Sequence, residues 1–261
     1  MLAWAIDLDG VVWRGSETVP GSPDAIARLR RAGAAVVFVT NSAVRTPDEV
    51  ADELARHGIP DAAADVITSA AAAASLVEPG QRVIVVGSDG LRAAVTGRGA
   101  EVVATGPADV VVVGLTDTFA YDDVARAMTA IRAGARFVAT NDDATFPDAG
   151  RLLPGNGALV AAVATAGGRP PDIVAGKPHE TIARFVRRRI GDDGIMVGDR
   201  PETDGLFARS LGYRFGLVLT GVVGPDDLPV DPEPDHVAPD LAALVDHVLA
   251  ELDREPPQSP S

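Results

Sequence analysis

The sequence contains no cysteine and no long apolar run among its 261 residues. The lack of thiols excludes disulfides, thiolate metal sites and cysteine nucleophiles. No apolar stretch approaches the roughly 20 residues that a membrane-spanning helix needs, so a membrane partner is not expected. The chain enters a strand-like segment at once, without a basic, cleavable leader pattern, which favours a cytoplasmic location.

Positive charge is scarce, since 23 basic residues against 37 acidic ones leave a net charge of −14. Nucleic acids and anionic membranes are bound mainly through Lys and Arg, so neither is an expected partner. An anionic substrate would need strong local positive charge at its binding site. A metal ion and a few well-placed cations can supply that charge.

Lysine is almost absent from the chain. Of the 23 basic residues, Lys177 is the only lysine and the others are arginine. Arg and Lys are interchangeable on a wet surface but differ where a compact point charge is needed. A biased genome is the alternative explanation, but the tight setting AGKPHE favours a functional role for Lys177.

Nearly continuous apolar runs alternate with helix-like segments from end to end. Such runs are typical of parallel strands covered on both faces, so the order predicts the α/β class with a doubly wound parallel sheet. Nine strands could form one sheet, but the punctuation at Pro79-Gly80 and at residues 169–171 favours an inserted domain. We predict a core from residues 1–80 and 172–261 and an inserted, smaller α/β domain from residues 81–171. The predicted strands are Leu2–Ile6, Ala34–Val39, Asp65–Thr68, Arg82–Val86, Asp109–Gly114, Ala135–Thr140 and a final set at Ile173–Val174, Gly194–Val197 and Phe215–Leu219.

Two helix starts carry capping signals. Ser22 and Thr46 each stand before a proline, and such a hydroxyl is expected to cap the helix that the proline begins. Glu49 follows Thr46 by three residues and completes the pattern of a capping box.

Acidic residues follow two of the predicted strands. Asp7 and Asp9 end the run AWAIDLDG, and Asp199 and Asp204 lie in GDRPETD. Ligands of open α/β sheets bind at the carboxyl ends of the strands, where these acids would meet. Several carboxylates around one point suit Mg²⁺, which takes oxygen ligands. The alternatives are an ordinary acidic turn at Asp7 and Asp9 and a helix-start acid at Asp204.

Phosphate-binding groups are predicted at the same edge. Thr40, Asn41 and Ser42 follow a strand, and Lys177 follows another on the way to its helix. A hydroxyl and free backbone amides can hold a phosphate, and an ammonium group can neutralise it. The alternative for Asn41 and Ser42 is that they only close a turn.

The paired acids at the first strand suggest covalent chemistry. An Asp carboxylate can attack phosphorus to give an aspartyl-phosphate. A second acid then protonates the leaving oxygen and later activates water. Asp7 and Asp9 together meet both needs.

Four segments, taken in their order along the chain, resemble the motifs of the haloacid dehalogenase-like (HAD) superfamily of phosphatases. The four segments are DLDGV, VTNS, GKP and GDRPETD. Further segments resemble the NagD-like subfamily, which acts on sugar phosphates and p-nitrophenyl phosphate: ATNDDATFP, LPGNGALV, AGKP and LVLTGV. The similarity covers almost the whole chain to about His236.

The resemblance implies a role for each acid. Asp7 would be the nucleophile and Asp9 the general acid/base. Mg²⁺ would be bound by the Asp7 carboxylate, the Asp9 backbone carbonyl and Asp199, with Asp204 in support. The inserted domain would be a type II cap that closes over the site.

The resemblance also implies how the phosphoryl group is held. Thr40, the Asn41 amide and Lys177 would bind it, with Ser42 in the same loop. Ser42 stands where many relatives have a second Asn, so the backbone of this loop is expected to serve rather than that side chain. Asp143 would lie in a cap loop that reaches the substrate, unless it belongs to a solvated acidic turn.

The sequence thus predicts a Mg²⁺-dependent phosphatase of small phosphorylated metabolites. Candidate substrates are sugar phosphates, glycerol phosphate, phosphoglycolate and similar compounds, with p-nitrophenyl phosphate as a generic substrate. The alternatives are a phosphotransferase with the same intermediate and a non-catalytic metabolite-binding protein of the same fold. A homo-oligomer through the cap is a further expectation.

Overall fold

A computed structural model describes residues 2–148 and 151–252, in which the strands form two parallel sheets and two antiparallel hairpins. The predicted fold class is confirmed. The strands are β1 Ala3–Ile6, β2 Trp13–Arg14, β3 Glu17–Thr18, β4 Val36–Thr40, β5 Val66–Thr68, β6 Arg82–Val86, β7 Glu101–Val102, β8 Val110–Val113, β9 Arg136–Ala139, β10 Thr145–Asp148, β11 Arg151–Pro154, β12 Ile173–Val174, β13 Gly194–Gly198, β14 Arg214–Val218 and β15 His236–Ala238.

Helices connect most of these strands. They are α1 Ser22–Arg31, α2 Pro47–Arg56, α3 Ser69–Ala74, α4 Asp89–Gly97, α5 Tyr121–Arg132, α6 Asn156–Gly167, α7 Glu180–Ile190, α8 Leu206–Leu211 and α9 Leu241–Leu252. A π-helical turn at Pro201–Gly205 leads into α8, and short 3₁₀ turns lie at Ala63–Asp65 and Pro225–Asp227. In the part of the chain that the structure describes, no helix meets the length and hydropathy that a membrane crossing requires.

The larger sheet, which we call the core sheet, has the strand order β15-β14-β13-β1-β4-β5. Its strands are apolar throughout because both faces are covered by helices. Alternate residues of β1 show this: Trp4 and Ile6 pack into one apolar cluster, whereas Ala5 packs into the cluster on the other face. The carboxyl ends of β13, β1 and β4 lie side by side, which positions the loops that follow them.

The second sheet has the order β12-β9-β8-β6-β7, and we call it, with the helices that pack on it, the cap. The separate sheets agree with an insertion rather than one nine-stranded sheet. One strand was assigned wrongly: Ile173–Val174, predicted with the final group, pairs with β9 of the cap. It lies beyond the predicted boundary at residue 171, because the chain finishes the second sheet before it returns to the core. The exact domain boundaries stay a prediction.

The two predicted helix starts differ in outcome. The Thr46 hydroxyl accepts a hydrogen bond from the Glu49 backbone, and the Glu49 carboxylate accepts one from the Thr46 backbone, so the capping box is confirmed. The expectation for Ser22 was wrong, because Gly21 occupies the cap position of α1 with a φ of 82°. The Ser22 hydroxyl instead donates to the Val11 carbonyl at 2.9 Å.

Candidate active site

The polar strand ends converge as expected. Asp7 directly follows β1, Thr40 is the last residue of β4, and Asp199 directly follows β13. These strands are neighbours in the core sheet, so the three side chains start from one edge. Lys177 reaches the same edge from the loop between β12 and α7.

The Lys177 ammonium group is the centre of a buried ion cluster. Its Nζ lies 2.5 Å from Asp7 Oδ1 and 2.7 Å from Asp204 Oδ1. The Lys177 side chain is 3% exposed and that of Asp204 only 1%. Burial opposes a charged lysine, but the two carboxylates outweigh it and raise the Lys177 pKa above its ordinary value. The two carboxylates therefore favour the charged form of Lys177.

Asp199 is held from the other side by glycine-rich backbone. Its Oδ2 accepts a hydrogen bond from the Val222 N–H at 2.7 Å. A Cβ on Gly10 would lie 2.5 Å from that same oxygen, and Gly10 also has a φ of +82°, a conformation that favours glycine. The glycine after Asp9 therefore lets the first acidic loop pass close to the Asp199 carboxylate.

The carboxylates of Asp7, Asp199 and Asp204 fit a divalent cation. Each is buried, and one ligand oxygen of each lies within 4.8 Å of the others. Burial and mutual repulsion raise the pKa of Asp7 well above its ordinary value and that of Asp199 to about 7. Three carboxylates facing one ammonium group are short of positive charge, and oxygen ligands of this kind suit Mg²⁺.

Asp9 has different surroundings. Its side chain is exposed, and Oδ1 accepts a hydrogen bond from Trp13 Nε1 at 3.0 Å. Although the residue is exposed overall, the protein around its carboxyl group displaces water and so raises the Asp9 pKa. The Asp9 carboxylate is not part of the three-acid cluster among the described residues.

Trp13 follows the acidic turn and could shield the site or simply pack as an aromatic, but its hydrogen bond to Asp9 was not predicted from the sequence. It lies on β2 of a short hairpin, and its ring stacks on His57 at a centroid distance of 5.0 Å. His57 is in turn hydrogen-bonded to the Thr18 hydroxyl at 2.7 Å. The four-residue spacing from Asp9 to Trp13 was the available signal, but two-residue strands are too short to show a periodicity.

The loop after β4 is internally hydrogen-bonded. The buried Thr40 hydroxyl oxygen accepts from the Ser42 N–H at 3.0 Å, which leaves the Thr40 hydrogen to donate elsewhere. The Ser42 hydroxyl accepts from the Val44 N–H. Thus Ser42 has local partners in this structure for both its N–H and its hydroxyl.

The Asn41 side chain contacts Lys177 and the cap. Its Oδ1 accepts from the Lys177 N–H at 2.7 Å, and its Nδ2 donates to the Lys177 carbonyl and to Asp143 Oδ2, each at 3.0 Å. Asp143 Oδ2 also accepts from Asn141 Nδ2 at 2.8 Å. Desolvation raises the Asp143 pKa, although both amides oppose the rise. The side chains of Asn41 and Asp143 are thus joined across the boundary between core and cap.

A cleft of about 390 Å³ opens beside this contact. Cap residues Asp142 and Asp143 line it together with His179 and Arg200 from the core. His179 Nε2 lies 3.6 Å from Asp142 Oδ1, and the His179 ring lowers the Asp142 pKa. Arg200 was not singled out from the sequence, although it follows Asp199 directly. A smaller cavity of about 230 Å³ lies near the start of β4, away from these acids.

Comparisons with known proteins find relatives over most of this chain. Residues 4–101 match a family model described as haloacid dehalogenase-like hydrolase, and residues 174–244 match one described as HAD-hydrolase-like. The D-glycerol 3-phosphate phosphatase of Mycobacterium tuberculosis is 42% identical over 224 residues, covering 83% of this chain and 62% of that protein. The 5'-nucleotidase YutF of Bacillus subtilis is 34% identical over 252 residues, covering 94% of this chain and 98% of that protein.

A solved structure agrees in fold. The crystal structure of the Mycobacterium tuberculosis glycerol phosphate phosphatase in complex with magnesium superposes with a TM-score of 0.85 at 40% identity. The match covers 93% of this chain and 75% of that one. The resemblance predicted from the motifs is therefore confirmed.

Proposed function

The chain belongs to the haloacid dehalogenase-like hydrolase family, and from that premise we propose that it is a Mg²⁺-dependent phosphomonoesterase of small phosphorylated metabolites. The observation that carries the proposal is the buried cluster of Asp7, Lys177 and Asp204 at the strand ends, with Asp199 beside it. Burying several charged groups costs free energy. We therefore expect this cluster to bind a ligand that balances its charge.

Mg²⁺ is the proposed cofactor. Asp7, Asp199 and Asp204 would hold it, together with the backbone carbonyl of Asp9. When bound, the ion supplies positive charge that stabilises the phosphoryl group during transfer. This assignment is supported by the donor set and by the magnesium complex of the relative.

The reaction proceeds in two displacements. An Asp7 carboxylate oxygen attacks phosphorus, the bond between phosphorus and the leaving oxygen breaks, and Asp9 donates its proton to that oxygen. Asp9 then takes a proton from a water molecule, whose oxygen attacks phosphorus and releases inorganic phosphate from Asp7. The raised pKa of Asp9 suits it to begin as the acid.

The phosphoryl group is held by positive charge and hydrogen-bond donors. The Lys177 ammonium, the Thr40 hydroxyl and the Asn41 backbone N–H are the proposed partners, with the Ser42 loop around them. These groups act by positioning and charge neutralisation, which account for most of the catalysis of phosphoryl transfer.

The cleft favours a leaving group rich in hydroxyls. Asp142 and Asp143 line it with Arg200 as a cationic neighbour. Carboxylates accept hydrogen bonds from hydroxyl groups but repel a second carboxylate. We therefore propose a polyol or sugar phosphate rather than phosphoglycolate as the preferred substrate. Asp143 would act here as a specificity residue.

For location and partners, the proposal keeps the expectations drawn from the sequence. The proposed enzyme acts in the cytoplasm on a small metabolite, without nucleic acid or membrane as a partner. A homo-oligomer through the cap stays a prediction.

The test is release of inorganic phosphate from a substrate panel. We expect Mg²⁺-dependent release from p-nitrophenyl phosphate, glycerol phosphate and sugar phosphates without an added acceptor, and loss of release with a chelator. Transfer that needs an acceptor would identify the phosphotransferase instead, and binding without turnover would identify the non-catalytic protein. Phosphoglycolate as by far the best substrate would contradict the proposed leaving group.

A further inference from the structure

The Asn41 carboxamide makes a paired contact with the backbone of Lys177. Its Oδ1 accepts from the Lys177 N–H, and its Nδ2 donates to the Lys177 carbonyl, at 2.7 and 3.0 Å. Two bonds to one residue fix both the position and the orientation of that peptide segment. Since the ammonium group of Lys177 is carried by this segment, the Asn41 side chain helps to set where the charge lies.

The same carboxamide is also bound by the cap. The second hydrogen of Asn41 Nδ2 is donated to Asp143 Oδ2 at 3.0 Å. Beside the carboxamide, Asn141 Nδ2 donates to the backbone carbonyl of Asn41 at 3.2 Å. Both cap residues come from the loop after β9. The docked cap and the Lys177 segment therefore share one side chain of the core.

Gly176 makes this close approach possible. A Cβ at position 176 would lie 2.5 Å from Asn41 Oδ1 and 2.6 Å from the Thr140 carbonyl, so both would have to move. Its φ is in the ordinary range, which means that space and not backbone conformation requires glycine here. Gly176 thus allows the close contact with Asn41, and Lys177 next to it supplies the positive charge.

We propose that Asn41 is a positioning residue that couples docking of the cap, through Asp143, to placement of the Lys177 ammonium group. This inference rests on the proposed function, because Lys177 is there the cation that holds the phosphoryl group. Docking of the cap and readiness of the phosphate site then occur together. The Asn41 side chain acts through Lys177 and does not itself touch the substrate.

The test exchanges the residue types of Asn41 and Asp143 in a double variant, which we call the reversed pair. Asn41→Asp keeps an acceptor for the Lys177 N–H but removes both donors and places a carboxylate against Asp143. We expect kcat for p-nitrophenyl phosphate to fall about tenfold or more, with weaker inhibition by inorganic phosphate, because Lys177 is displaced. Adding Asp143→Asn removes the like charge and returns a donor, so the double variant should regain about threefold or more over Asn41→Asp.

Ser88→Ala is the matched control. The Ser88 hydroxyl donates to the Ala43 carbonyl at 2.9 Å, which is another contact between cap and core that does not reach Lys177. We expect its kcat to stay within about twofold of the wild type. Thermal unfolding is measured for each variant, including Asp143→Asn alone, and identifies any variant that does not fold. If Asn41→Asp does not fold, the activity of the double variant tests the coupling.

Three results would overturn the coupling. They are a wild-type kcat in folded Asn41→Asp, no recovery in the reversed pair, or an equal loss in Ser88→Ala. A wild-type protein that releases no phosphate with Mg²⁺ would contradict the proposed function instead, so the two failures are distinguishable.

Discussion

Ion pairs of two kinds occur in this protein, and they differ most in how far they are exposed to water. Arg184 and Glu180 pair at 3.2 Å on the surface of α7, with side chains 66% and 53% exposed. Lys177 and Asp204 pair at 2.7 Å with almost no exposure. An exposed pair contributes about 0–1 kcal/mol, whereas charges removed from water cost several kcal/mol each before they attract one another.

The contrast supports a specific role for Lys177. Surface arginines can exchange partners with water at little cost, so their exact position is of small consequence. In the buried cluster Lys177 pairs with two carboxylates, and the surplus of carboxylates leaves a place for a divalent cation.

Asp7→Asn should give the largest effect. The variant keeps the shape of the side chain but cannot act as a nucleophile, so we expect phosphate release to fall by about 10⁴-fold or more. The fold should remain intact, because an amide at this site removes a repelled charge. Phosphate release and thermal unfolding are measured on the same preparation, and activity near the wild type would refute the nucleophile assignment.

Lys177→Met and Arg184→Met compare the two kinds of pair directly. Removal of the buried cation leaves two carboxylates without it, so the free energy of unfolding should fall by about 3 kcal/mol or more, and activity should be lost. The matched surface change should cost about 0–1 kcal/mol and keep activity. The free energies of unfolding of the two variants are compared by urea unfolding in the absence of Mg²⁺. Equal costs would mean that burial does not distinguish the pairs.

Gly10→Ala and Gly15→Ala separate backbone strain from the metal site. Both glycines have positive φ, at +82° and +59°, so both variants are strained. A Cβ at position 10 meets the Asp199 carboxylate, whereas one at position 15 meets nothing within 4 Å. We expect Mg²⁺ affinity to fall about tenfold or more in Gly10→Ala alone. Calorimetric titration with Mg²⁺ checks this, and equal affinities would place the ion elsewhere.

His236 tests a half-buried group outside the site. Burial lowers its pKa below 6.5, with Arg214 and His247 adding to the shift and Glu251 and Asp235 opposing it. The folded state therefore binds fewer protons than the unfolded state, so its contribution to stability is present above pH 6.5 and lost as pH falls.

His236→Gln should remove this small dependence. Urea unfolding is compared at about pH 7.5 and about pH 5.5, on either side of the ordinary histidine pKa. The variant should lose less stability on acidification than the wild type, while phosphate release at neutral pH stays unchanged. An identical pH dependence in the two proteins would contradict the assignment.

Much of this arrangement was predictable because strand ends in a parallel sheet share an edge. Asp7, Thr40 and Asp199 each stand at the end of a short apolar run, so their meeting followed from the strand pattern. Lys177 stood out through composition alone. The residue types alone permit several roles at this site. The resemblance to a known family assigned one role to each residue.

Other features carried no signal along the sequence. Asn41 and Asp143 meet across 102 positions, and a polar contact of that kind has no periodicity. The pairing of Ile173–Val174 with the cap depends on the path of the chain back to the core, which a two-residue strand does not reveal. Ser22 does not cap α1, since its hydroxyl donates instead to the buried backbone carbonyl of Val11.

In the proposed mechanism phosphate passes through the Asp7 carboxylate, so the covalent intermediate should be open to chemical trapping. The enzyme is mixed with Mg²⁺ and p-nitrophenyl phosphate, quenched, and treated with borohydride, which reduces an aspartyl-phosphate to homoserine. Peptide mass spectrometry should find homoserine at position 7 only when substrate was present. Homoserine at another aspartate, or none during rapid phosphate release, would contradict the account.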